Sequence, residues 1–107
     1  MELSVTLNGN NHPNELLTLK TFIKRAGIEG LEGVDLARGV GPLDALKANL
    51  KKAEKPLFEL VKCLQKYADN YRTRVVVKTP GGKDYTLENG KDLRPDQIQA
   101  VVDGLLK

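Results

Sequence analysis

Apolar and polar side chains alternate from residue 2 to residue 8, with Leu3, Val5 and Leu7 on one side and Ser4, Thr6 and Asn8 on the other. That is the period of a strand with one buried face, and Asn8-Gly9-Asn10-Asn11 ends it. A helical period follows from Pro13. Leu16, Leu17, Ile23 and Ala26, with Leu19 and Phe22 beside them, form its apolar face, Asn11 or His12 its cap, and Gly27 its left-handed stop. Leu31, Val34 and Leu36 suggest a second short strand, weakened by Gly30 and Gly33.

The strongest pattern runs from Gly41 to Leu64. Leu43, Leu46, Leu50, Ala53, Leu57, Leu60 and Leu64 recur at spacings of three and four, which predicts one helical face. Lys47, Lys51, Lys55, Lys62 and Lys66 then fall on roughly the opposite face. Pro42 opens this segment and Pro56 interrupts it, so the expectation is a kinked long helix, or two abutting helices over 42–54 and 56–69. Arg74-Val75-Val76-Val77-Lys78-Thr79 and Lys83-Asp84-Tyr85-Thr86-Leu87-Glu88 flank the turn Pro80-Gly81-Gly82 and read as a β-hairpin. Pro95 and Asp96 start a last helix with Ile98, Val101, Val102 and Leu105 inward. The predicted order is β-α-(β)-α-β-β-α. The fold class is α+β, with a small mixed sheet of the first strand and the hairpin covered by helices.

A chain of 107 residues, 40% of them apolar, supplies one modest core and a single domain spanning 1–107. No stretch has the apolar length of a membrane span, and Met1-Glu2-Leu3-Ser4-Val5 lacks a basic segment followed by an apolar one, so a cytoplasmic location is expected. One cysteine, Cys63, excludes an internal disulfide. With a single histidine as well, no metal site or cofactor is expected. The net charge of +3 is unevenly spread: residues 47–83 carry ten Lys/Arg against three acids, or +7, and the remainder is −4. Such polarity keeps a protein soluble, orients self-association into a homo-oligomer, or attracts an acidic partner.

His12, between Asn11 and Pro13, has no cysteine, serine or carboxylate at motif spacing, and Cys63 lies beside the apolar stripe as a small hydrophobe would. Gly39-Val40-Gly41 precedes a helix but lacks the further glycine or the Gly-Lys-Ser/Thr ending of a phosphate loop. The carboxylates form no close pair for general acid and base, so the expectation is a protein without catalytic activity. Nucleic-acid binding through the basic 47–83 region is the alternative, with few aromatics for base stacking: Phe22, Phe58, Tyr67, Tyr71 and Tyr85. The residues expected to bind a partner protein are Lys47, Lys51, Lys55 and Lys62, with Phe58 as an apolar anchor among them.

The strand Leu3-Ser4-Val5-Thr6-Leu7, the helix starting Glu15-Leu16-Leu17, the Gly-x-Gly loop before a leucine-rich segment, the Thr79-Pro80-Gly81-Gly82 hairpin and the short C-terminal helix together resemble the effector-associated constant component family of prokaryotic conflict and immune loci. The resemblance covers about residues 2 to 106. It implies a stand-alone adaptor without catalytic chemistry, encoded beside effectors such as trypsin-like or caspase-like peptidases, that couples sensing of an invader to effector deployment.

Overall fold

The computed structural model describes residues 1–7, 13–38, 44–90 and 94–106. The chain runs β1 (Glu2–Leu7), α1 (Pro13–Arg25), β2 (Leu31–Arg38), β3 (Asp44–Leu50), α2 (Glu54–Tyr71), β4 (Val75–Lys78), β5 (Asp84–Leu87) and α3 (Pro95–Leu106). The strands form one sheet in the order β2-β3-β1-β4-β5, and every neighbouring pair is antiparallel. The α+β class is as expected, with β1 and the C-terminal hairpin in one helix-covered sheet. The sheet is antiparallel rather than mixed, for a topological reason. β1 and β2 run the same way but β3 lies between them; β3 and β4 run the same way but β1 lies between them. Each helical crossover thus straddles an antiparallel strand, the split β-α-β or ferredoxin-like arrangement, here extended by β5 and α3.

The kinked long helix is not found. Residues 44–50 are β3, and Leu46, Ala48 and Leu50 are buried while Asn49 is exposed. Leu46 and Leu50, four apart, fit a period of two as well as one of 3.6, and Ala48 between them suits either. Pairing decides it: β3 is laddered to β1 on one side and β2 on the other, so a helix here would strip backbone partners from both neighbours. Ala53 is extended (φ −147°, ψ 156°) and precedes α2. Pro56 therefore falls in the first turn, where its missing N–H is not needed, and α2 continues for 18 residues. Ala53 is exposed and takes no part in the leucine face.

The same opening turn is fixed by Gly30, whose φ of +90° favours glycine and where a Cβ would meet Pro56 Cγ at 2.6 Å. β2 is a full edge strand of eight residues, with a register irregularity between Leu31 and Gly33 where the two glycines weakened the sequence pattern. The 75–87 hairpin and α3 follow the sequence reading, with Ile98, Val102 and Leu105 buried. In α1, Leu16, Leu19 and Ile23 are buried, whereas Leu17 is 45% exposed, and Ala26, just past the helix, is exposed.

The helices cover one face of the sheet, α1 against β2 and β3, α2 against β4 and β5, with α1 and α3 on its two flanks. Leu3, Val5 and Leu7 of central β1 meet Leu57, Leu60 and Leu64 of α2 in one core. On the opposite face the registers align Asp35, Lys47, Ser4, Lys78 and Asp84 in a row across all five strands. Small and polar side chains there suit a sheet face turned to water.

Candidate partner-binding site

The strand, loop and helix over 44–71 distribute the lysines expected to share a surface. Lys47 lies on the open sheet face, 3.9 Å from Glu2, and Lys51 in the loop after β3. Lys55 is in the first turn of α2, 3.5 Å from Glu29, and Lys62 is exposed further along α2. Phe58 is half-buried and packs against the core. Lys47, Lys51, Lys55, Phe58 and Lys62 thus form no single basic helix face, because strand β3 and the turn over 51–53 separate the first of them from the helix carrying the last. Phe58, half-buried rather than fully outside, has exposed Lys55 and Lys62 three and four residues away on the same helix.

A different arrangement gathers on the seam between α1 and α2. Phe22 meets Tyr67 edge-on at 5.4 Å and Tyr71 at 6.5 Å, and the two tyrosines stack at 4.4 Å. Such pairs add roughly 0.5–1.5 kcal/mol each beyond area burial and stiffen the seam. The Tyr67 hydroxyl donates to the Glu15 carbonyl at 3.4 Å. Burial pushes the Tyr67 phenol above its ordinary pKa, with Tyr71 and Glu15 adding to the effect. Tyr71 remains 52% exposed. Arg72 closes the helix in the left-handed region (φ 48°), its N–H donating to the Ala68 carbonyl.

Beside this cluster a groove of about 570 Å³ opens, with Phe22, Ile28 and Cys63 among its lining residues. Arg25, Lys62 and Lys66 stand along it as exposed cations and Glu59 as an exposed acid. A second hollow, about 220 Å³, shares Phe22 and Arg25 with the first and adds Thr18, Thr21 and Tyr71. A third, about 310 Å³, shares Thr18 and Tyr71 and ends at Arg72 and Thr73. Through these shared residues the three hollows adjoin along the seam as a trough, of which the first is the most apolar and has a basic rim. Ion pairs among the described residues join Lys20 to Asp35, Lys47 to Glu2, Lys55 to Glu29 and Arg74 to Glu88, and none uses Arg25, Lys62 or Lys66.

Burial pushes the Cys63 thiol up to about 11 despite the opposing charge of Lys66, so at neutral pH it is a protonated, poorly nucleophilic group. Among the described residues no three His, Cys, Asp or Glu side chains come together to hold a metal ion. His12 and the Gly39–Pro42 loop lie outside the described residues. No described helix is long and apolar enough to cross a membrane.

Sequence reasoning grouped Lys62 and Lys66 on one face but did not foresee that Phe22, Arg25 and Tyr71 gather beside them on this seam. The usable signals were Tyr67 and Tyr71 one turn apart, Lys62 and Lys66 one turn apart, and Phe22 set off from the Leu16, Leu19, Ile23 stripe. No family model matches the chain, and neither a curated protein nor a solved structure matches it.

Proposed function

We propose that this protein is a non-catalytic adaptor that acts by binding another protein, coupling sensing to an effector such as a peptidase in a bacterial conflict or anti-phage system. The observation that carries the association reading is the trough on the α1–α2 seam, where exposed Tyr71 and half-buried Phe22 sit among cations without partners of their own among the described residues. An aromatic anchor surrounded by polar rim residues is the composition of an interface hot spot. The defence context rests on the family resemblance.

The test is co-expression of the full chain with the product of the adjacent gene, followed by size-exclusion chromatography with light scattering. The expected result is a complex of defined stoichiometry and no hydrolase, transferase or redox turnover by the chain alone. Turnover by the purified chain, or a neighbour that never co-elutes with it, would count against the adaptor.

A further inference from the structure

We infer that the α1–α2 trough is a docking groove for an acidic peptide segment carrying a bulky apolar side chain. This deepens the association reading above by naming a surface and the chemistry of its partner.

The groove offers two kinds of recognition together. Its floor has Phe22 and Ile28 half-buried and Cys63 only 8% exposed, so an apolar side chain entering it displaces water from surface that is already mostly apolar. The rim of its largest hollow carries Arg25, Lys62 and Lys66, exposed and free of ion pairs among the described residues, against one acid, Glu59, with Glu15 lying at the far end of the trough. Lys62 and Lys66 are one helical turn apart and so present their charges in line along the groove.

The excess of positive charge selects an acidic segment, steering its approach and discriminating against basic ones. Rim charges alone contribute little affinity, so the apolar floor is needed to hold what they attract. The seam between Glu59 and Arg72 is about 20 Å long at 1.5 Å per residue, which accommodates roughly three to four turns of a partner helix. Cationic rims also attract nucleic acid, but the rings of this seam are arranged edge-on or stacked on one another rather than spread as a platform for successive bases.

Isotope-labelled full chain titrated with a 12-residue peptide of glutamate and alanine bearing two leucines four residues apart tests the inference. Amide signals should shift over residues 22–28 and 59–71 and stay fixed over the open sheet face. Replacing both peptide leucines by alanine should weaken binding at least tenfold, and so should the double variant Lys62→Glu with Lys66→Glu, whose exposed positions leave the thermal melt unchanged. Phe22→Ala tests the floor, with its melt recorded in parallel; Ile28→Asp serves if that variant fails to fold. Shifts confined to the sheet face, or equal binding by the folded double variant, would overturn the groove. Tighter binding of a 12-nucleotide single-stranded RNA at the same amides would overturn the peptide in favour of nucleic acid.

The two levels separate cleanly. If the double variant still co-elutes with the neighbouring gene product as the parent chain does, the groove is wrong and the adaptor reading stands. If the intact chain binds the peptide in this groove but forms no complex with its neighbour, the groove stands and the adaptor reading falls.

Discussion

A thiol at the floor of a groove edged by lysines is subject to two opposed influences. The positive charge of Lys66 favours the thiolate, and removal from water disfavours it; burial wins, and Cys63 moves from 9.0 to about 11. Because the folded value lies above the unfolded one, the stabilisation is fully present below about pH 9 and is lost as pH rises toward 11. Two pH units correspond to about 3 kcal/mol at most. Tyr67, also raised by burial, acts with the same sign above its ordinary value of 10.0. Urea midpoints should therefore fall steeply between pH 9 and 11, and Cys63→Ala should flatten the lower part of that decline while leaving the tyrosine part. Native protein at pH 8 should react with a thiol reagent slowly. Rapid labelling of the folded chain at that pH would show a solvated thiolate instead.

At the level of elements, packing between α3 and β5 hangs on a glycine. A Cβ at Gly104 would lie well inside contact distance of the Tyr85 hydroxyl and ring. In an exposed helix, glycine to alanine stabilises by about 1 kcal/mol; here the sign should reverse, because overpacking costs about 1–3 kcal/mol. Gly104→Ala should lower the melting temperature, and adding Tyr85→Phe, which removes the nearest atom, should recover part of the loss. Elements of this kind were legible in the sequence where one period had no rival. Leu3, Val5 and Leu7 alternate without ambiguity, and the β4–β5 hairpin is framed by β-branched residues and a glycine turn. β3 was not legible, because Leu46, Ala48 and Leu50 satisfy strand and helix together and the deciding ladders come from distant β1 and β2. The expected single lysine face is not formed for the same reason: once β3 was read as helix, Lys47 joined a face it does not share with Lys62. The groove proposed above depends on how α1 leans on α2, which local spacing does not encode.

On the scale of the whole molecule, α2 is the piece that closes the fold. It links β3 to β4 in sequence and packs against β4 and β5, and its fully buried Leu57, Leu60 and Leu64 share one core with side chains from both halves of the sheet. The surface ion pairs span 3.5 to 3.9 Å between partly or largely exposed groups and contribute little. Stability is therefore set by this apolar contact rather than by the polarised charge along the chain. Leu60→Ala should cost about 2–5 kcal/mol, since a cavity under the middle of α2 has strands on its other side that cannot all relax into it. Amide hydrogen exchange reads whether that loss is global. Val5 in β1, Leu46 in β3 and Val77 in β4 are neighbours at the centre of the sheet and should exchange only through complete unfolding. Their protection should fall together, by the same free energy as the equilibrium loss. The exposed hairpin turn, Thr79–Lys83, opens locally and should exchange at its original rate. If the Leu60 variant instead loses protection only in α2 and β4 while β1 and β3 keep theirs, the two halves of the sheet unfold independently, and α2 caps one of them rather than joining both.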